Sequence, residues 1–195
     1  MKERPINLKA WEVRAIREGR KTQTRRVVKG AEKETWQGGE CGIRDPCTYW
    51  NIGGRAHRCP YGQPGDRLWV RETFFHEPEE YDYASGRVRL KPVSLYRADG
   101  HGDWIGKWVP SIHMPRWASR ITLEVVGVRA ERLNEISEED AKAEGARATL
   151  SPLDSVRLGA IGTHREGFSQ VWESINGPGS WAENPFVWVV EFRRV

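Results

Sequence analysis

No run of eighteen or more apolar residues occurs in the sequence, which excludes a conventional membrane-spanning helix. The charged start, Lys2, Glu3 and Arg4, is not followed by the apolar segment of a secretory leader, so a cytoplasmic location is expected. Cysteine is scarce. The three present, Cys41, Cys47 and Cys59, are an odd number, which argues against a disulfide framework and suits a reducing compartment. There is no C-x-x-C, so the ligand spacing of a standard zinc ribbon is missing. Cys41, Cys47, His57 and Cys59 have the donor chemistry for zinc, but small buried or surface thiols explain them better, and neither a metal nor another cofactor is expected. Internal repeats, low-complexity tracts and interdomain linkers are absent too. The 195 residues therefore read as one domain with a real core, enlarged by irregular insertions at about residues 29–63 and 76–117.

Against these absences stand charge and indole. Charged residues make up 30% of the chain with a formal net charge of +4, a balance that favours an anionic partner such as nucleic acid. The 10 tryptophans outnumber the 5 tyrosines and 5 phenylalanines, and indole serves both core filling and base stacking.

The densest chemistry is Gly19-Arg20-Lys21-Thr22-Gln23-Thr24-Arg25-Arg26, with one ammonium, two threonine hydroxyls and three guanidinium groups in eight residues. Ala10, Trp11, Val13, Ala15 and Ile16 have the spacing of an amphipathic helix, and Gly19 supplies its left-handed stop. Residues 22–28, rich in threonine and valine, read as a strand. The cluster thus occupies a helix-to-strand turn, where rigid elements hold side chains in place. Lys21 and Thr24 have opposite strand parity, so they converge only if Lys21 lies in the turn.

The rest of the chain gives an α+β pattern. After the turn Pro64-Gly65-Asp66, residues 67–72 form a strand with Leu68 and Val70 on one side, Trp69 and Arg71 on the other, and Glu72 at its end. A short strand is expected near 93–97. Pro110 and Pro115 fix an extended segment around His113 and Met114, leading to Arg116 and Trp117. Residues 118–133 form a long strand with Ile121, Leu123, Val125 and Gly127 on one face, curved or bulged at Gly127. Ser137 caps a helix with Asp140 at N3, and Gly145 closes it. Residues 164–175 form a second helix with the stripe Phe168, Val171, Trp172 and Ile175. The closing strand, 185–192, is apolar on both faces and is therefore expected to be central or flanked on both sides.

Gly19-x-Lys21-x-x-Thr24-x-Arg26, the capped segment 136–145 and the closing strand resemble the ASCH superfamily. The longer pattern over 64–72, 110–120 and 172–188 is similar to its phage and prophage branch. The resemblance implies a PUA-like small β-barrel with flanking short helices. One bacterial family of this superfamily removes the acetyl group from the exocyclic amine of acetylcytidine, using a lysine, a threonine and a glutamate. Carried over to this chain, these are Lys21, Thr24 and Glu144.

The chemistry makes sense on its own terms, because amide hydrolysis needs a nucleophile, a proton acceptor and oxyanion stabilisation. Thr24 would attack or orient a water. Lys21, crowded by Arg20, Arg25 and Arg26, would have a lowered pKa and act as base, and Arg26 would hold the oxyanion. Glu144 or Glu72 would supply the acid. The competing readings are a non-catalytic reader of RNA or a modified base, with Lys21, Arg25 and Arg26 on phosphate and Trp69 or Trp117 stacking, and a ribonuclease using the same basic groove. The expected partner is a small nucleoside-like ligand or RNA.

Overall fold

The computed structural model describes residues 1–31, 50–52, 55–76, 80–82, 84, 86–89, 95–103, 106–149 and 162–195. Cys41, Cys47 and the first part of the strand expected near 93–97 lie outside them. In chain order the elements are β1 (Glu3–Asn7), α1 (Ala10–Arg17), β2 (Gln23–Val27), β3 (Trp50–Ile52), β4 (Arg55–His57), β5 (Arg67–Arg71), β6 (Phe74–Phe75), β7 (Glu80–Asp82), β8 (Arg87–Arg89), β9 (Leu95–Tyr96), β10 (Thr122–Arg132), α2 (Glu138–Ala143), α3 (His164–Asn176) and β11 (Phe186–Arg194). The fold is α+β.

Five strands form the main sheet, in the order β1-β5-β10-β11-β2, and the remaining six pair two by two. β1 runs parallel to β5, and the other pairings in the main sheet are antiparallel. The sheet ends in two edges, β1 and β2, so the expected closed barrel does not form. The sequence gives little sign of β1, because only Ile6 of its five residues is buried and Pro5 removes a ladder donor, a residue that strands tolerate at an edge. The two edge strands meet through a side chain rather than a ladder: Arg26 donates to the Asn7 carbonyl at 3.1 Å.

β11 organises the core. Its alternation sends Trp188, Val190 and Phe192 to one face, against Leu68, Leu123, Val125 and the Val13 and Ile16 of α1. Val187 and Val189 face the other way, against Leu133, Ile136 and Ala141 and the Phe168 and Trp172 of α3. A strand that is apolar on both faces is thereby covered on both, as its pattern requires. β10 carries the expected bulge, with the register shifting between Val125 and Gly127. The extra residue reverses the side-chain alternation. Val128 and Ala130, rather than Gly127, continue the core face of Val125, while Val126 is 46% exposed.

The helix ends follow their sequence signals. Ser137 Oγ accepts the Asp140 N–H at 3.0 Å, and Thr163 with Glu166 forms a capping box at the start of α3. Gly145 combines a φ of +79° with tight packing, since a Cβ there would lie 2.9 Å from that of Ala15 and 3.1 Å from that of Lys21. The segment expected to be extended is instead two short 3₁₀ turns, Ser111–His113 and Arg116–Ala118. Pro110 and Pro115 stand immediately before them, where proline's fixed φ suits a turn.

Candidate active site

The turn from α1 into β2 sets the position of Lys21. The Ala15 carbonyl accepts N–H bonds from Arg20 at 2.8 Å and Lys21 at 3.1 Å, and Thr22 N–H reaches the Ala143 carbonyl at 2.8 Å. Lys21 therefore precedes the strand and pairs as an isolated bridge with Glu144, the C-cap of α2. This meets the geometric condition for convergence, and Lys21 and Thr24 line the same pocket. The Lys21 side chain is 1% exposed. Its Nζ donates to Glu144 Oε2 at 2.7 Å and to the Glu144 carbonyl at 2.9 Å. It also lies 3.7 Å from Glu12 Oε1 and 5.7 Å from the centre of the Trp11 ring.

The cationic crowding expected around Lys21 is not what the fold builds. Its closest charged neighbours are carboxylates. Arg20 turns outward to Glu18 at 2.7 Å and to the Gly145 carbonyl at 3.2 Å. Arg25 is buried and reaches three acids: Glu131 at 2.5 Å, Asp140 at 2.8 Å and Glu144 Oε1 at 3.2 Å. Arg129 extends this network, donating to Glu131 at 2.8 Å and Asp140 at 2.7 Å and pairing with Glu191. Burial pushes the Asp140 carboxyl up, but the hydrogen bond and charge of Arg25, with the charge of Arg129, outweigh it and hold the group below the usual carboxylate range. Arg25 is thus committed to organising Glu144 and is closed to an external phosphate.

The pocket lies along the outer edge of β2, between α1 and α3, with a cavity volume of about 70 Å³. Glu12, Lys21, Thr24, Arg25, Arg26, Glu144 and Asn176 supply its polar groups. The apolar stripe of α3, Phe168, Val171, Trp172 and Ile175, forms its apolar wall, and Phe168 and Trp172 serve the core as well. Arg26 is partly exposed at 26%, lies 3.6 Å from Glu12 and is the pocket cation best able to meet a ligand.

Glu12 is the residue that sequence reasoning missed. It is 4% exposed, accepts the Lys9 N–H at 2.8 Å as an N-terminal cap, and offers its other oxygen to Lys21 and Arg26. The available signal was an acid within the apolar run Trp11 to Ile16, on a helix leading straight into the Lys-Thr-Arg string.

The remaining candidates stand elsewhere. Glu72 is buried but lies outside the pocket, gripped by Arg120 at 2.8 and 3.0 Å. Arg120 also binds Asp99 at 2.7 and 3.0 Å and sits 3.7 Å from the Tyr96 ring centre. Of the two proposed acids, Glu144 is the one brought to Lys21 and Thr24. Trp69 is buried beneath Arg71 at 4.5 Å and Arg116 at 5.9 Å. Trp117, the other candidate for stacking, is 57% exposed and meets His76 edge-on. Neither lines the pocket. Of the zinc candidates, Cys59 is a core thiol whose pKa burial pushes up to about 11, against the opposing backbone hydrogen bonds of Tyr61 and Gly62. Among the described residues no group of three His, Cys, Asp or Glu side chains is arranged to hold a metal. No protein-family model, curated protein or solved structure matches the chain.

Proposed function

We propose that this pocket hydrolyses an amide on a modified nucleoside or nucleobase, with acetylcytidine as the model substrate. The observation that supports it most is the convergence of Lys21, Thr24 and Glu144, from segments distant in sequence, in one partly open cleft: Lys21 and Glu144 are separated by 123 positions. Thr24, or a water it orients, attacks the acyl carbon. Lys21 Nζ passes a proton to Glu144 Oε2, 2.7 Å away, and accepts one from the nucleophile. Arg26 stabilises the oxyanion, the carbon–nitrogen bond breaks, and the amine leaves with a proton. That proton comes from Lys21, which Glu144 reprotonates; where Thr24 itself attacks, a water then hydrolyses the acetyl-threonine ester, so one water is consumed for each acetate and amine released. The same reading takes the five-stranded sheet as a PUA-like barrel left open between β1 and β2, with the Arg26 to Asn7 contact spanning the gap.

A basic phosphate-binding turn is less well supported, because Arg25 is enclosed by three carboxylates. The test is incubation of the purified protein with acetylcytidine, following cytidine and acetate by chromatography. The wild type is expected to release both, with Lys21→Ala and Glu144→Gln lowering the rate by roughly 10²–10⁴-fold. Salt-sensitive RNA binding without turnover would replace this proposal with the reader, and RNA shortening dependent on Arg26 would replace it with the ribonuclease.

A further inference from the structure

β2 is an edge strand, and the hydrogen-bond parity tells which of its main-chain groups face away from the sheet. Val28 N–H donates to the Phe186 carbonyl and Phe192 N–H to the Thr22 carbonyl, each at 2.8 Å. Between these two bonds, Arg26 is registered with Trp188 and Thr24 with Val190. Residues of an antiparallel pair alternate between bonded and non-bonded positions. The even-numbered residues therefore bond to β11, while Arg25 and Val27 direct their N–H and C=O groups outward. Among the described residues no strand covers that side. The pocket does: Thr24, Arg25, Arg26 and Val27 line it in succession. Side chains on a strand alternate between its two faces, so four consecutive residues line one cleft when the strand presents its edge.

The two flanking helices turn this edge into a slot. α1 covers one face of the sheet and α3 the other, and they bring Trp11 and Phe168 to the cleft. Main-chain donors and acceptors shielded by such walls cost free energy until a partner satisfies them. An added strand would supply that partner in a protein complex, and a flat ring lying in line with the sheet presents the same pattern.

We propose that the outward N–H and C=O groups of Arg25 and Val27 read the hydrogen-bonding edge of a planar heterocycle that carries a donor and an acceptor side by side, as in the ring amide or amidine of a nucleobase. The inference rests on the nucleobase reading of the pocket and deepens it, assigning recognition of the base to the strand's main chain. Lys21, Thr24 and Glu144 remain for the chemistry. Polar recognition without a dedicated side chain also leaves the slot free to hold the ring between aromatic walls.

The test is calorimetric titration of cytidine, which carries the ring edge and no amide to hydrolyse. Val27→Pro removes the outward N–H without breaking a bond to β11, and proline is tolerated in this orientation on an edge strand. A second variant replaces Val27 with α-hydroxyisovaleric acid, which keeps the side chain and turns the amide into an ester. Circular dichroism and cooperative unfolding establish that each is folded; if Val27→Pro is not, the ester decides. Loss of about five- to tenfold in cytidine affinity is expected, the worth of one main-chain hydrogen bond. Unchanged affinity in the ester variant overturns the inference, as does failure of the wild type to bind either cytidine or acetylcytidine. Lys21-dependent turnover with binding indifferent to the ester would sink the edge readout and leave the hydrolase standing. Binding that depends on the Val27 N–H, without turnover, would do the reverse.

Discussion

Arg120 holds Glu72 with one pair of hydrogen bonds and Asp99 with another, so its contribution is structural. Glu72 is 1% exposed, and Arg120→Ala would leave its carboxylate without a counter-charge. Breaking a buried pair costs about 3–5 kcal/mol, and the partial exposure of Arg120 puts this case near about 3 kcal/mol. Urea denaturation should show that loss, while activity per folded molecule stays as in the wild type. The same pair explains a limit of the sequence. An acid at a strand end looks alike whether it enters a cleft or meets an arginine 48 residues later, so Glu72 stood beside Glu144 as a candidate until the fold separated them. Lys21 and Thr24 were legible because they share one short string. Glu144 was reached through the family resemblance, and Glu12 was hidden because a helix cap gives no sign that its second oxygen is free for a lysine.

Caps and strand patterns were more transparent at the level of elements. Glu138, the first residue of α2, also caps the next helix: its Oε1 accepts His164 N–H at 2.6 Å and its Oε2 accepts Arg165 N–H at 3.0 Å. The His164 bond lowers its pKa most, outweighing a small opposing effect of burial. Glu138→Gln should destabilise the protein by about 0.5 kcal/mol at neutral pH, the lower end for an exposed cap, measured by thermal unfolding. A depressed folded pKa gives stability above the unfolded value and loses it as pH falls through the folded one. The difference between wild type and variant should therefore vanish in acid. Ser137, Gly145 and the α3 stripe were readable because their partners lie within one or two turns. The Val128 face was misread because a single inserted residue at the β10 bulge inverts everything after it. β1 was missed because an edge strand with one buried residue has almost no period to detect.

For the molecule as a whole, three aspartates act as joints. Asp66 ties the Lys2 N–H and Arg4 to the turn before β5, Asp99 joins Arg17 of α1 to Arg120, and Asp140 joins Arg25 to Arg129. Burial raises each pKa, and the arginines, helped at Asp66 by the Lys2 and Gln63 N–H groups and at Asp140 by the Gln23 side chain, more than reverse it, leaving all three below the ordinary value of 3.8. Their stabilisation is present above that value and is lost as pH falls through the depressed folded pKa values. Denaturation midpoints measured from pH 6 downward should accordingly be nearly level until about pH 4 and then fall as the joints protonate. Barrel closure was not legible, because it depends on whether two distant edges meet and no local pattern encodes that. The pocket also has a bearing on how the chain can be cut. Its walls come from Trp11 near one end and Asn176 near the other, with β2 between them in space. A fragment starting after Arg17 forfeits Glu12, and one stopping before His164 forfeits the opposite wall. Truncation past Glu12 at one end, or back to His164 at the other, therefore removes a wall of the cleft.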